Sequence, residues 1–548
     1  MLWPRETYEE VYHAFRWKIP ASYNMAHDVC DRHATIAGKT ALIYFDDKGR
    51  EQRFSFLDIK QNANRLANAL EALDVERGDR VAILLSQCPE AALCHVAAHK
   101  MGAISLPLFT LFGPEALEFR LGNSEAKVVV TDAANLPKIV AIRDRLPALR
   151  HVIVTDRELA GDGADRAFWP LLERASSRYR NVKTSAEDPC LLIYTSGTTG
   201  QPKGALHAHR TMLGHMPSLE FYHDFFPQPG DLFWSPADWA WIGGLMDNLM
   251  PAWFHGVPVL AFRARKFDPD EAFAMMATHR VRNMFLPPTA LKLLRQVHDP
   301  RTKYDLRVRS IFTGGEIMGG ELLQWGYDTF GMTISEGYGQ TECNLMVGNS
   351  PRIMDVYPGS MGRAVPGHVV EVLNEDGAPA PVGQVGHIAF KTPDPVAMLR
   401  YWRNPEGTKA KFHGDWMLSG DQGYRDERGY FWFVGRADDV ITSAGYRIGP
   451  GEIEECLIKH PAVAMAAAIG IPDPIRTEAI KAFIQLRPGF APNDQLVAEI
   501  QDHVRTRLAA HEYPRTIEFV TEFPMTATGK IRRTELRERE RKKAQLSA

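Results

Sequence analysis

An apolar run leads directly into a loop suited to binding anions. Residues 191–194 read Leu-Leu-Ile-Tyr, as a buried strand would, and glycine, hydroxyl and lysine side chains follow. Glycines let backbone N–H groups approach an anion, hydroxyls add donors, and a lysine adds positive charge. The loop residues are Thr195, Ser196, Gly197, Thr198, Thr199, Gly200 and Lys203. Their spacing differs from that of a Walker loop, yet the string predicts a phosphate-binding loop.

Further short strings follow this loop in a fixed order. They are Thr313-Gly314-Gly315-Glu316, Glu336-Gly337-Tyr338-Gly339-Gln340-Thr341-Glu342, Ser419-Gly420-Asp421, Gly435-Arg436-Ala437-Asp438-Asp439, Gly445-Tyr446-Arg447 and Pro524-Met525-Thr526-Ala527-Thr528-Gly529-Lys530. Together with the loop, they resemble the signature of the adenylate-forming superfamily, which comprises acyl-CoA synthetases, adenylation domains of nonribosomal peptide synthetases, and luciferases. The resemblance covers the chain from about residue 190 to residue 533.

The resemblance implies a ligase that uses ATP, Mg²⁺ and coenzyme A as cofactor or substrate. A carboxylate first reacts with ATP to give an acyl-adenylate and pyrophosphate, and the thiol of coenzyme A then displaces AMP. Because the first step brings two anions together, the site must neutralise charge on the α-phosphate and the leaving group. By similarity, Glu342 holds Mg²⁺, which prefers hard oxygen ligands, and Thr341 hydrogen-bonds the α-phosphate.

The same resemblance assigns contacts to the nucleotide. Asp421 would accept hydrogen bonds from both ribose hydroxyls, as its two oxygens permit, and Arg436 would be the second ribose contact. Gly315 and Glu316 would lie against the adenine, and Tyr338 would stack on it. The remaining residues assigned to the nucleotide site are Gly339, Gln340 and Arg447, the last as a phosphate or interdomain contact.

Lys530 is the strongest candidate for catalysis of the adenylation step. It stands on a loop after Gly529 and before the charged tail. A mobile ammonium can bridge the carboxylate and the α-phosphate in the transition state, and by resemblance Lys530 is the adenylation lysine. The context also resembles bacterial acyl-CoA synthetases that a lysine acetyltransferase switches off by removing this charge.

The resemblance further implies a small C-terminal domain that rotates between the two half-reactions. We predict a large domain over residues 1–437 that binds ATP and carboxylate, and a small domain over 438–548 that carries the lysine. Asp438 would be the hinge, where one residue absorbs the change in backbone angles. In the second state Gly445 would face the acyl-adenylate and leave room for the pantetheine arm. Ala444 replaces a serine usual in acetate-specific enzymes, which leaves one coenzyme A contact open.

The acyl pocket is predicted from a tryptophan-rich segment. Trp239, Trp241 and Ile242 resemble the stretch that lines the pocket in acetate and medium-chain acyl-CoA synthetases, although such a segment is equally typical of a core element. Gly339 stands where acetate-specific relatives carry a tryptophan, so we expect open space there and an acid larger than acetate: medium-chain, branched or aromatic. His207 or His209 faces the substrate, or both are structural.

Composition excludes several classes of protein. Lysine and arginine total 64 of the 548 residues against 67 aspartate and glutamate, so no basic field favours nucleic acid. No apolar stretch approaches the roughly 18 residues of a membrane span. The six cysteines form no CxxC pair, which favours a reducing compartment, and we predict a cytoplasmic protein.

The elements that must position these residues read as an α/β fold, α+β overall. Short apolar runs at 81–85, 127–130 and 152–154 predict buried parallel strands, and helical spacing at 56–73 and 115–121 predicts helices between them. A new alternation of helix and strand begins after about residue 438. The charged tail over 530–543 predicts a solvated terminal helix.

Two other functions remain open from the sequence. A stand-alone adenylating enzyme would load a carrier protein in trans. A degenerate homologue would only sense nucleotide, although it would have no need of Lys530.

Overall fold

The computed structural model describes residues 1–46, 48–156, 163, 165–195, 202–262, 267–316, 318–437, 439–443, 446–473, 477–507, 513–526 and 529–547. Strands and helices alternate along this chain. The strands are β1 (Thr40–Phe45), β2 (Glu51–Ser55), β3 (Arg80–Leu84), β4 (Ile104–Pro107), β5 (Val128–Thr131), β6 (His151–Val154), β7 (Arg166–Ala167), β8 (Pro189–Thr195), β9 (Lys203–Ala208), β10 (Phe233–Trp234), β11 (Val259–Phe262), β12 (Asn283–Phe285), β13 (Ser310–Gly314), β14 (Ser335–Gln340), β15 (Cys343–Gly348), β16 (Ser360–Ala364), β17 (Val370–Leu373), β18 (Gly386–Lys391), β19 (Arg400–Tyr401), β20 (Phe412–His413), β21 (Trp416–Arg425), β22 (Phe431–Arg436), β23 (Ile441–Ser443), β24 (Tyr446–Ile448), β25 (Val463–Asp473), β26 (Thr477–Leu486) and β27 (Thr516–Phe519).

The helices lie between and around these strands. They are α1 (Tyr8–Ala14), α2 (Phe56–Glu71), α3 (Pro89–Met101), α4 (Pro114–Ser124), α5 (Leu136–Val140), α6 (Phe168–Glu173), α7 (Thr211–Tyr222), α8 (Ile242–Gly244), α9 (Met250–Phe254), α10 (Pro269–His279), α11 (Pro288–Leu294), α12 (Pro300–Lys303), α13 (Gly320–Phe330), α14 (Pro405–Ala410), α15 (Pro450–Ile458), α16 (Asp494–Arg507) and α17 (Arg533–Ser547). Single turns of π-helix cover His27–Asp31 and Leu245–Leu249.

One sheet contains the strands predicted from the apolar runs. Its order is β19-β9-β8-β4-β3-β5-β6-β7, and β8, β4, β3, β5 and β6 run parallel. The predicted helix at 56–73 is α2, which begins at a capping box: the Ser55 side chain accepts from the Asp58 amide while Asp58 accepts from the Ser55 amide. The predicted α/β class is confirmed.

The second sheet carries most of the predicted site. Its order is β17-β18-β21-β22-β16-β15-β14-β13-β12-β10-β11-β1-β2, with β20 paired to β21. Strands β12, β13 and β14 are parallel, and β14 then turns back antiparallel into β15. Helix α7 packs on this sheet, where Tyr222 stacks on Phe312 with ring centroids 4.3 Å apart. The carboxyl ends of β13 and β14 therefore present their loops at one edge.

The C-terminal part forms a sheet of its own. Its order is β24-β23-β26-β25, with β27 beside β26, and α15, α16 and α17 cover it. The charged tail is α17, which buries Leu536 against this sheet and exposes most of its charges. The predicted boundary at Asp438 lies outside the described residues and stays a prediction. Among the described residues, no helix is both long and apolar enough to cross a membrane.

Candidate active site

The described ends of the predicted phosphate loop lie on paired strands. Thr195 ends β8 and Lys203 begins β9, and the two residues pair across the strands. The Thr195 hydroxyl donates to the Lys203 carbonyl at 3.3 Å, and the Lys203 ammonium lies 5.4 Å from the centre of the Tyr401 ring. The loop therefore leaves and re-enters the sheet at one edge. Ser196, Gly197, Thr198, Thr199 and Gly200 lie outside the described residues.

The predicted ribose residues meet at a hydrogen-bonded corner. Asp421 on β21 pairs with Arg436 on β22, and the Tyr338 hydroxyl on β14 donates to Asp421 Oδ2 at 2.5 Å. Burial, and next the negative charge of Asp421, raise the pKa of Tyr338 well above its ordinary value, so the phenol stays protonated and donates. Three predicted residues from separate motifs are thus brought together.

Lys411 adds a cation that no motif indicated. Its ammonium donates to the Gln340 side-chain oxygen at 2.5 Å and to the Ser419 carbonyl at 2.9 Å. Gln340 also donates to the Ser419 carbonyl, so β14 is tied to β21. Burial lowers the pKa of Lys411, and the Glu342 and Asp421 carboxylates oppose that shift. Lys411 therefore places positive charge between the two carboxylates.

Glu342 is held from both its backbone and its side chain. Its carbonyl accepts from the Met398 amide at 2.8 Å, and its Oε1 accepts from the Tyr401 hydroxyl at 2.5 Å. The described residues contain no group of three or more His, Cys, Asp or Glu side chains arranged to bind a metal by themselves. A single buried carboxylate fits Mg²⁺, which typically takes one or two carboxylates together with substrate phosphates. Thr341 directly precedes Glu342 in the same turn.

Two residues from distant parts of the chain converge on Gly315. This residue follows β13 with φ of 90°, a conformation that favours glycine. A Cβ built on Gly315 would lie 3.3 Å from Trp241 Cζ2 and 3.8 Å from Lys530 Nζ. The ammonium of the C-terminal part therefore reaches the loop after β13, beside the indole. Glu316 accepts from the Thr289 hydroxyl at 3.1 Å at the same loop.

The Lys530 turn is braced by its own backbone. The Thr526 amide donates to the Lys530 carbonyl at 2.8 Å, and the Lys530 amide donates to the Thr526 hydroxyl at 3.0 Å. The residue as a whole is exposed, yet packing around its ammonium lowers the pKa, while Glu316 and Asp421 raise it and Arg436 lowers it further. The lysine therefore points into a cleft that contains charges of both signs.

The structure corrects the prediction for Gly339. A Cβ built there would lie 2.2 Å from the Leu345 backbone nitrogen and 2.8 Å from the Asn344 carbonyl carbon, well inside van der Waals contact. The expected open space at Gly339 is therefore wrong, because the backbone of β15 occupies it. A register shift between Tyr338 and Gln340 accompanies this close approach.

The other residues predicted for the pocket are mostly buried. Trp239 is 1% exposed and Ile242 is also buried, so both lie in the hydrophobic core, whereas Trp241 is half-buried. His207 and His209 are fully buried, and burial lowers the pKa of each to about 3, so both are neutral near pH 7. Neither histidine lies on an accessible surface.

Besides the phosphate loop, four predicted residues lie wholly or partly outside the described residues. Asp438, Ala444 and Gly445 lie outside the described residues. Arg447 pairs with Thr442 through the β23–β24 backbone, which is all that the structure describes of it. The assigned roles of these residues stay predictions.

Sequence reasoning missed Lys411, Tyr401 and Glu336 as site residues. Lys411 and Tyr401 stand in an ordinary helix–strand region, and only the fold brings them to Gln340 and Glu342. Glu336 begins a recognised motif, yet its environment shows only in three dimensions: burial raises its pKa to about 7, the Met318 amide opposes the shift, and Glu455 of the C-terminal part reinforces it.

Comparison with known proteins identifies the family. Residues 30–402 match the AMP-binding enzyme family and residues 452–530 match the AMP-binding enzyme C-terminal domain. Acetyl-coenzyme A synthetase of Bacillus subtilis is 37% identical over 547 residues, covering 97% of this chain and 95% of that protein. Acyl-coenzyme A synthetase ACSM3, mitochondrial, of Mus musculus is 36% identical, and the match covers 97% of this chain and 93% of that protein.

Solved structures agree with the sequence matches. The anthranilate CoA ligase AuaEII in complex with anthranoyl-AMP has a TM-score of 0.85 and 31% identity, covering 95% of this chain and 98% of that chain. A benzoate CoA ligase from Burkholderia xenovorans has a TM-score of 0.81 and 28% identity, and the match covers 94% of this chain and 100% of that chain. The fold is that of an adenylate-forming enzyme.

The chain belongs to the AMP-binding enzyme family. It is an AMP-forming acyl-CoA ligase, which makes acyl-CoA through an acyl-adenylate. Its substrates are a carboxylic acid, ATP and coenzyme A, with Mg²⁺ as the metal partner.

Proposed function

We propose that this ligase activates an acid larger than acetate, of medium-chain, branched or aromatic structure, and passes the acyl group to coenzyme A. The observation that carries the proposal is the convergence of Trp241 and Lys530 on Gly315. An indole beside an ammonium suits an acid with an apolar body and a carboxylate end.

The residue roles follow from charge and position. Lys530 neutralises the carboxylate and the α-phosphate as they approach, because its ammonium can contact both anions. Asp421 and Arg436 bind the ribose, and Tyr338 packs against the adenine. Thr341 contacts the α-phosphate, and Glu342 holds Mg²⁺, which supplies positive charge to the phosphates when bound.

An aromatic wall supports an acid with more than two carbons. The Trp241 and Phe285 rings lie with centroids 5.4 Å apart, and Trp241 remains partly accessible. Each methylene buried against such a wall contributes about 0.8 kcal/mol, close to fourfold in affinity. Similar structures include an anthranilate and a benzoate CoA ligase, although the similar Bacillus subtilis protein is an acetyl-coenzyme A synthetase.

The domain roles are part of the same proposal. Residues 438–548 form the small domain, which turns about Asp438 in the second half-reaction. Lys530 then withdraws, and Gly445 faces the acyl-adenylate and leaves room for the pantetheine arm. A lysine acetyltransferase would silence the first half-reaction by neutralising Lys530. All six cysteines are buried and none forms a disulfide, which supports a reducing, cytoplasmic location.

Pyrophosphate release over a panel of acids tests the substrate class. The panel runs from acetate through hexanoate and isovalerate to benzoate, with coenzyme A present or omitted. We expect kcat/KM for the preferred acid to exceed that for acetate about tenfold, and acyl-CoA to form only with coenzyme A. A preference for acetate would refute the size class, and adenylate that coenzyme A never consumes would favour carrier loading instead.

Variants at Trp241 test the wall itself. Trp241→Leu removes the indole and should reorder the acids while leaving KM for ATP within about threefold. Trp416→Leu is the matched control, since Trp416 lies by Lys391 on the surface side of β21. An unchanged acid ranking in Trp241→Leu would show that the indole does not contact the acyl group.

A further inference from the structure

The turn that carries Thr341 and Glu342 is tied to two other elements through one side chain. The Asn344 amide nitrogen donates to Asp247 Oδ1 at 2.7 Å and contacts His215 Nε2 at 3.2 Å. Asp247 belongs to the π-turn Leu245–Leu249 that follows the Trp241 segment, and His215 belongs to α7, which follows the phosphate loop. Asn344 thus links three segments: the π-turn after Trp241, helix α7 after the phosphate loop, and the turn that carries Glu342.

The histidine accepts one of these hydrogen bonds. His215 Nδ1 lies 2.7 Å from the Thr211 carbonyl, which can only accept, so Nδ1 carries the proton. Burial lowers the pKa of His215 to about 4, and near pH 7 the ring is therefore neutral with Nε2 as an acceptor. Both protons of the Asn344 amide are used.

All three residues are buried. Asn344 is 6% exposed, Asp247 3% and His215 0%. Removing one partner of a buried hydrogen bond leaves the other unsatisfied, which costs about 1–3 kcal/mol. A buried and fully used amide also fixes orientation, because its hydrogen bonds are directional where apolar packing is not.

The next residue is in a strained conformation that needs support. Leu345 has φ of 57°, unusual for a bulky side chain, and its carbonyl accepts from the Ser218 hydroxyl of α7 at 2.8 Å. This conformation brings the Leu345 nitrogen against Gly339. Such backbone strain costs of order 1–3 kcal/mol and persists only where the surroundings enforce it.

We propose that Asn344 is a positioning residue for adenylation, which holds the Thr341–Glu342 turn in register with the acid and phosphate sides of the site. The proposal rests on the roles proposed above for Thr341 and Glu342. Through Asp247 and His215, it couples the segment beside the acyl pocket to the residues that contact MgATP.

Substitutions at Asn344 and Asp247 separate positioning from stability. Asn344→Leu removes both donors and leaves the Asp247 carboxyl unpaired in the interior. Asp247→Leu removes that carboxyl, so the double variant should regain stability that Asn344→Leu has lost. If Asn344 positions the turn, the double variant should still adenylate poorly, because the hydrogen bonds from position 344 are still missing. Asn64→Leu is the matched control, a buried asparagine on α2 that donates to the Ser177 carbonyl.

The readouts are MgATP affinity by calorimetry, pyrophosphate release with the preferred acid, and thermal unfolding. We expect Asn344→Leu and the double variant to bind MgATP and adenylate about 10- to 100-fold less well, as for residues that orient a ligand-binding group. Asn64→Leu should lose stability but keep both activities within threefold. MgATP affinity and adenylation of Asn344→Leu within threefold of wild type, or activity that returns with stability in the double variant, would overturn the proposal.

The measurement of MgATP affinity makes this test independent of the test of the proposed function. A wild-type protein that binds MgATP yet releases no pyrophosphate with any acid would refute the proposed substrates. In that case MgATP affinity alone decides: a tenfold loss in Asn344→Leu supports positioning, and an unchanged affinity contradicts it.

Discussion

The large part of the molecule and the Lys530 turn contribute to the site in different ways. In the large part, site side chains hold one another: Tyr338 donates to Asp421, Lys411 to Gln340, and Tyr401 to Glu342. The Lys530 turn is braced within itself by Thr526, and its ammonium reaches across to Gly315. One region is held by hydrogen bonds among its own side chains, and the other contributes an ammonium from a separate turn.

The largest effect should come from a substitution in the Lys530 turn. Lys530→Ala removes the cation that neutralises two anions in the transition state, and adenylation should fall by about 10³-fold or more, roughly 4 kcal/mol. Pyrophosphate release with the preferred acid measures this loss. Lys542→Ala, in the charged tail, should remain within threefold, and an equal loss in both variants would show that position 530 has no special role.

A carboxyl at the boundary between the regions should respond to pH. The pKa of Glu336 rises from 4.5 to about 7 through burial, reinforced by Glu455 across the boundary. The folded state therefore keeps a proton that the unfolded state loses, so this stabilisation is complete below pH 4.5 and disappears as pH rises through 7. The shift corresponds to about 3 kcal/mol.

Glu336→Gln removes that pH dependence. Chemical denaturation between pH 4.5 and 8 should show the free energy of unfolding of the wild type falling by about 3 kcal/mol more than that of the variant. Glu427→Gln, an exposed carboxylate, is the control. Parallel curves for wild type and Glu336→Gln would mean that Glu336 is ionised in the folded protein.

Close packing in the large part should make Gly339 intolerant of any side chain. Gly339→Ala places a methyl group against the Leu345 nitrogen, so we expect a loss of about 1–3 kcal/mol in the free energy of unfolding. Gly122→Ala, where the nearest atom is 3.6 Å from the new Cβ and the residue lies within α4, should be neutral or stabilising. Full stability of Gly339→Ala would show that the turn relaxes freely.

The smallest effect should come from the cation inside the preorganised region. Lys411→Met removes donors to Gln340 and Ser419, and KM for ATP should rise about tenfold, roughly 1.4 kcal/mol. Lys409→Met, two residues away and exposed, should leave KM unchanged. A rise in KM for the acid alone would show that Lys411 supports binding of the acid and not of ATP.

The two regions were also predictable to different degrees. Apolar runs predicted β3, β5 and β6 to within one residue at each end, and the centre of β8, because a buried strand needs a continuous apolar stretch. Motif strings identified Tyr338, Asp421 and Lys530, because ordered short strings persist in a family. Lys411 and Tyr401 have no such string, and only strand pairing brings them to the site.

The error at Gly339 has a physical cause. The missing side chain predicts open volume, but a glycine also lets backbone approach, and here the strained backbone of Leu345 in β15 takes that volume. Whether a glycine leaves open volume or admits backbone depends here on Asn344 and Leu345, five and six positions later, and on helix α7, which contacts both. Periodicity contains no information about that contact.

We propose that Lys530 serves the first half-reaction only, from a turn that then withdraws. Supplying synthetic acyl-adenylate and coenzyme A to Lys530→Ala bypasses adenylation, and acyl-CoA formation followed by rapid quench measures the second half-reaction alone. We expect this rate to stay within about threefold of wild type, although the same variant should lose adenylation about 10³-fold. A second half-reaction reduced as much as the first would contradict it, because Lys530 would then be needed throughout.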